Sequence, residues 1–199
     1  TEGTGDQCTI ALELREDGKF VKYDTWQDQG QGGDVGSLQN TLEALKPLGV
    51  SIDDVVLIQN DSKYCPDSGA TASSRQHYMN GKASKMAADQ LIQALTKPDG
   101  AFRTYQEMVA EGIPTKYEAQ YLNPSDPDLC DLDPNTGVGN PTPDYTYAMF
   151  LAEVAVDTAT GKAAVIGYTC VDDVGVIGNI DSVNGQAYDA MFFQHYGVN

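Results

Sequence analysis

Two segments of this 199-residue chain carry residue types that suit the binding of anions or flat rings. The first is Gln29-Gly30-Gln31-Gly32-Gly33-Asp34-Val35-Gly36, between a strand pattern and a helix pattern. Glycines let backbone N–H groups approach a bound anion or a flat heterocycle, and the helix N-terminus that follows adds partial positive charge. The plainer alternative is a tight strand-to-helix turn that needs positive φ. The second segment runs from Pro66 to Gln76 and includes Ser68-Gly69, Thr71 and Ser73-Ser74-Arg75. Hydroxyls, free N–H groups and a guanidinium at one helix start suit a phosphate. Its plainer alternative is an ordinary N-cap with a solvated arginine. Neither segment contains GxxxxGK[ST], and neither matches the GxGxxG dinucleotide fingerprint.

Other chemistry has less support. The two histidines are His77 and His195. His77 falls one turn into a long helix pattern, where a surface or capping role is the default, and a Cys65–His77 thiolate pair lacks a third group. Cys8, Cys65, Cys130 and Cys170 form no CxxC pair, which argues against structural zinc. Two disulfides are arithmetically open, but scattered cysteines in a chain of this size read as reduced thiols. Asp126, Asp128, Asp131 and Asp133 lack the glycine and glutamate of a calcium loop. No catalytic residue and no metal ligand is identified.

The elements that must position the two loops follow from periodicity. Cys8–Leu14 alternates as a strand, Asp17-Gly18 turns, and Phe20, Val21 and Tyr23 return as its partner. Val35, Leu38, Leu42 and Leu45 predict a helix that begins near Asp34 as N-cap and ends at Pro47 and Gly49. Val55–Ile58 reads as a buried strand. Ser73–Leu95 is the strongest helix, with Met79, Ala83, Met86, Ala87, Leu91 and Leu95 on one stripe. Thr104 and Glu107 form a capping box for a short helix, and Tyr117–Leu122 reads as a strand. A long irregular loop spans 123–143. A second hairpin follows, Tyr145–Val156 with Ala163–Val171, then a loop over 175–184 and a last helix over Gly185–Tyr196. The order predicts an α+β fold: two β-hairpins and a mixed sheet packed with one long helix and two or three shorter ones, as a single domain over 1–199.

The 29 acidic residues against 12 basic ones leave a formal net charge of −17. Such a surface repels phosphate backbones and anionic membranes, so no nucleic-acid partner is expected. No apolar run approaches a membrane span. The first residues form no signal-peptide core, which points to a cytoplasmic location, and a start at Thr1 suggests a processed or cut chain.

In combination the motifs resemble the molybdenum hydroxylases, the xanthine dehydrogenase and aldehyde oxidoreductase family. Gly30-Gln31-Gly32 with Asp34 and Gly36 looks like that family's GQG-x-D-x-G segment. Ser68-Gly69 through Ser74-Arg75-Gln76 looks like its SG…SRQ segment. Phe150–Asp157 with Thr160-Gly161-Lys162 resembles its AEV-x-VD-x-x-TGK hairpin, and Asp173-Val174-Gly175 with Gly185-Gln186 its DxG…GQ stretch. The likeness runs from about Cys8 to Tyr188, covers the C-terminal part of the molybdopterin-binding subunit, and is closest in spacing to bacterial aldehyde oxidoreductases.

The resemblance implies a molybdopterin cofactor, in its cytosine-dinucleotide form, and oxidation of aldehydes or heteroaromatic rings with oxygen from water and electrons passed to iron–sulfur clusters. It would place Gly30, Gln31 and Gly32 at the pterin, and Ser68, Gly69, Ser73, Ser74, Arg75 and Gln76 at the phosphates and dinucleotide. Ala72 and Ser73 stand where the family has two glycines. The implied partners are the remainder of the molybdopterin-binding subunit and the iron–sulfur domains, with a homo-oligomer left open. The isolated chain is expected to be catalytically incomplete and free of cofactor. An alternative of another class is an acidic stand-alone binding or scaffold module that retains the fold without the cofactor.

Overall fold

The computed structural model describes residues 6–72, 74–123, 130–141 and 145–196. The chain packs as two compact units, Thr1–Ser125 and Asp126–Asn199. Their boundary falls inside the long loop expected over 123–143.

In the first unit, β1 (Gln7–Leu14) and β2 (Phe20–Asp24) form the expected hairpin. Helix α1 (Gly33–Leu45) then crosses over to β3 (Val55–Gln59), which lies parallel to β2. Helix α2 (Arg75–Leu95) and the short α3 (Tyr105–Ala110) follow. Strand β4 (Lys116–Leu122) returns antiparallel to β1. The sheet order is β3-β2-β1-β4, mixed as expected, and α1 and α2 pack on one face. The parallel β2-α1-β3 crossover is absent from the sequence-based reading, which took the hairpin and the third strand separately.

The core lies between that face and α2. Cys8, Ile10, Leu12 and Leu14 point inward from β1 and meet Met79, Ala83, Ala87, Leu91 and Leu95. Alternate residues of a strand share a face, so Lys22 and Asp24 of β2 point the same way, and both are fully buried. Met86 departs from the expected stripe. It is 40% exposed, because α2 turns that edge outward while Ala87 and Ala88 face the sheet. The Thr104–Glu107 capping box is present in both directions.

The start of α1 corrects one expectation. Its N-cap is Gly32 in the left-handed conformation (φ 81°), not Asp34, which lies inside the first turn. The long helix begins at Arg75 rather than Ser73. Its N-cap, Ser74, is also left-handed and makes no side-chain capping bond.

In the second unit, β5 (Tyr147–Val156) and β6 (Ala163–Asp173) pair antiparallel with a bulge between Glu153 and Val154. Helix α4 (Ile180–Tyr196) starts earlier than expected, inside the stretch read as loop. The hairpin is apolar on both faces. Tyr147, Met149, Leu151 and Val171 are exposed on one, and Phe150, Val154, Val156 and Val165 on the other. No helix among the described residues is long and apolar enough to cross a membrane.

Candidate functional site

Strands β2 and β3 run parallel and end side by side, at Asp24 and Gln59. The first loop leaves β2 there and the second leaves β3, so both sit beyond the same end of the sheet. Ligands of open α/β sheets bind outside the carboxyl ends of parallel strands.

The two loops are sewn together. The Thr25 amide donates to Ser68 Oγ at 3.0 Å, and the Ser68 amide donates to Thr25 Oγ1 at 2.8 Å. The Gln27 amide donates to Thr71 Oγ1 at 3.0 Å. Ser68 is fully buried and its hydroxyl also donates to the Thr9 carbonyl at 2.9 Å, which pins the second loop to β1.

The amides of the first loop are already engaged. Asp28 Oδ1 accepts from the Gly30 amide at 2.8 Å and Oδ2 from the Asp34 amide at 3.1 Å. These amides hold the Asp28 carboxyl below the usual carboxylate range. Asp34 is pushed upward, first by its partial burial and then by the charges of Asp28 and Asp24. A carboxylate therefore fills the nest that sequence reasoning offered to an external anion. Gln31 folds back on its own loop: Nε2 donates to the Gln27 carbonyl at 3.0 Å and Oε1 accepts from the Gln29 amide at 2.6 Å. Gly30 has φ 104°, and open space surrounds the position a Cβ would take, so its backbone can be approached by a flat group.

Arg75 is committed within the chain. Nε and Nη2 grip Asp6 bidentately at 2.8 and 2.7 Å. Nη2 also donates to the Gln7 carbonyl at 2.6 Å, and Nη1 to those of Ser68 (3.1 Å) and Ala70 (2.6 Å). That uses all five guanidinium N–H donors. The Arg75 fork also draws the Asp6 carboxyl below its ordinary range against the effect of burial. Gly69, at φ 73°, leaves no room for a Cβ, which would lie 2.7 Å from Arg75 Nη2. Arg75 thus braces the second loop from inside. Gln76 is buried and shares its Nε2 among the carbonyls of Ser68, Gly69 and Ala70. Ser74 is exposed, and Ser73 lies outside the described residues.

Two buried polar atoms have no partner among the described residues: Gln76 Oε1, an acceptor, and Trp26 Nε1, a donor. A buried unpaired polar group costs about 1–3 kcal/mol. Trp26 was not identified from the sequence. Its indole packs on the α1 backbone, where a Cβ at Gly33 would lie 2.8 Å from Nε1 and one at Gly36 2.8 Å from Cη2. His77 meets it edge-on, with ring centroids 6.0 Å apart. The available signal was the spacing of Trp26 from Gly33 and Gly36, since glycines inside a helix start invite a large ring.

The thiols carry no paired chemistry. Cys65 Sγ donates to the Ile58 carbonyl at 3.1 Å rather than meeting His77, and burial pushes the Cys8 thiol up to about 11. All four cysteines are free. Asp126 and Asp128 lie outside the described residues. Among the described residues no cluster of three or more histidine, cysteine or carboxylate side chains could hold a metal ion.

Residues 1–193 match the family described as a molybdopterin cofactor-binding domain. The aldehyde oxidoreductase of Megalodesulfovibrio gigas is 37% identical over 186 residues, which are 94% of this chain and 20% of that protein. The crystal structure of the aldehyde oxidoreductase from Desulfovibrio desulfuricans superposes with a TM-score of 0.83 at 40% identity, covering 93% of this chain and 20% of that one. Quinoline 2-oxidoreductase from Pseudomonas putida 86 shares the fold, with a TM-score of 0.67 at 18% identity over 90% of this chain and 25% of that one. The chain thus spans about a fifth of the length of the aldehyde oxidoreductases that it matches.

Proposed function

The chain belongs to the molybdopterin cofactor-binding domain family, and from that membership we propose that it supplies two cofactor-embracing loops to a molybdenum-dependent aldehyde oxidoreductase. Both compact units act as one cofactor-binding domain in this reading, since the family match spans both.

The observation that carries the proposal is that the two loops are hydrogen-bonded to each other beyond the same end of the sheet, with the Gly30 backbone open to approach. A flat ring can rest on that open backbone. When bound, the cofactor supplies the molybdenum at which aldehyde oxidation with oxygen from water takes place. This chain's residues bind and orient. Gly30, Gln31 and Gly32 face the pterin ring. Because Asp28 already occupies the loop amides, this face receives a neutral ring rather than a phosphate. Gly69, Ser73 and Ser74 form the phosphate and dinucleotide side, while Ser68, Arg75 and Gln76 hold that loop in shape. The dinucleotide is the cytosine form. The apolar faces of the β5–β6 hairpin take the remainder of the subunit, because a lone two-stranded hairpin is marginal in water. The iron–sulfur domains belong to the same assembly, in the cytoplasm.

The test uses the full-length protein purified from a host that makes molybdopterin. Molybdenum, released pterin and the released nucleotide are quantified per chain. Near-stoichiometric pterin with CMP supports the reading, and Ser74→Ala together with Gln31→Ala should lower the content without altering the circular dichroism. A full-length protein free of pterin refutes it. That outcome would favour an acidic binding module without cofactor, a reading for which the self-filled Asp28 nest speaks.

A further inference from the structure

The core beneath the loops contains a charged network that packing alone does not require. Asp24 is fully buried at the last position of β2. Its Oδ2 accepts from Ser37 Oγ at 2.7 Å and from Asn80 Nδ2 at 2.9 Å, and its Oδ1 from Gln59 Nε2 at 2.9 Å. Lys22 Nζ lies 3.3 Å from the same carboxylate and donates to Asn80 Oδ1 and the Ser37 carbonyl. The Asp24 carbonyl accepts from the Asn60 amide at 3.1 Å. Burial works to raise the Asp24 carboxyl, but the Lys22 charge and the three side-chain donors outweigh it and hold it ionised.

Each partner stands at the root of a loop. Asp24 opens the first loop, and Ser37, in α1, lies just after it. Gln59 and Asn60 open the second, and Asn80, early in α2, closes it. We propose that Asp24 is a positioning residue: its carboxylate ties the stems of both loops to one point and so sets the geometry in which they clasp the cofactor. A buried ion pair adds little net stability over apolar packing of the same shape, which leaves conformational specificity as its use here. The inference rests on the reading of the loops as cofactor-binding.

The test compares Ser37→Ala, Asp24→Asn and Thr41→Ala in the full-length protein. Ser37→Ala cuts the tether to α1 and keeps the charge pair. Asp24→Asn keeps the shape and removes the charge. Thr41 Oγ1 donates to the Ser37 carbonyl at 2.8 Å, is equally buried and does not touch Asp24, so it controls for lost stability. Amide hydrogen exchange over residues 25–36 and 66–76 is read together with pterin affinity. Ser37→Ala and Asp24→Asn should speed loop exchange and weaken pterin retention about tenfold, as substitutions behind a ligand shell do, while Thr41→Ala leaves both unchanged. Loop exchange at the wild-type rate in Ser37→Ala, or an equal effect in Thr41→Ala, overturns the proposal. If the wild type carries no pterin, the functional reading fails, and the exchange arm still decides the role of Asp24.

Discussion

Gly36→Ala tests the Trp26 cradle by a change of sign. A Cβ at Gly36 would lie 2.8 Å from Trp26 Cη2 and 3.3 Å from Cζ2. Carbon contacts are optimal near 3.5–4.0 Å, so the ring would have to retreat by roughly 0.7 Å. It has no easy retreat, because the Gly33 backbone flanks Nε1 and His77 stands edge-on to the ring. Overpacking of this kind costs about 1–3 kcal/mol. Alanine in place of glycine in a helix returns up to about 1 kcal/mol. The net in the wild-type background is a loss on the order of 1 kcal/mol, or about 2–4 °C in Tm for a chain of this size. In a Trp26→Phe background the outer ring atoms are gone and only the helix term remains, so the same substitution should stabilise. Urea and thermal unfolding followed by far-UV circular dichroism measure all four proteins of the cycle. Trp26 is the sole tryptophan, so its emission also reports the ring's displacement in Gly36→Ala itself. Equal effects of Gly36→Ala in both backgrounds would refute the reasoning, because the coupling is the contact.

Further outcomes follow from the same contacts. Arg75→Lys cannot keep the fork on Asp6 while reaching the Ser68 and Ala70 carbonyls, so it should cost about 1–3 kcal/mol; an unchanged urea midpoint contradicts the brace. Ser68→Ala strands the Thr25 amide and frees the Thr9 carbonyl, with a similar cost and faster exchange at Thr25. Glu107, drawn down from 4.5 to about 2 by Lys97 and by the Thr104 amide, contributes stability that is complete above its unfolded value and is lost as pH falls from about 4.5 to about 2; the Tm gap between wild type and Glu107→Gln should close over that window and stay constant above it. The apolar hairpin faces should make this chain self-associate more strongly as salt screens its charge of −17, and Phe150→Ser with Val154→Ser should reduce the effect in sedimentation velocity; association unchanged by both serines would place the adhesive surface elsewhere.

The sequence by itself determined the local features: both hairpins, the glycine-rich and serine-rich bends, and the Thr104–Glu107 box. Each rests on residues within a few positions of one another, where turn chemistry and period suffice. The order of motifs carried the family for the same reason. Tertiary structure alone decided what those bends contain. Lys22 and Asp24 alternate with Val21 and Tyr23, and in a one-dimensional reading charged residues belong to the solvent side. Only the arrival of Ser37, Gln59 and Asn80 from distant positions makes their burial affordable. Arg75 looked like a free cation at a helix start until Asp6, 69 positions away, closed on it. Asp28 reaches the Gly30 amide by an ordinary Asx turn, two positions on, but its second bond, to the Asp34 amide six positions on, depends on the course of the whole loop. Donors are legible from residue type, but whether they are spent or still open depends on partners that only folding brings near.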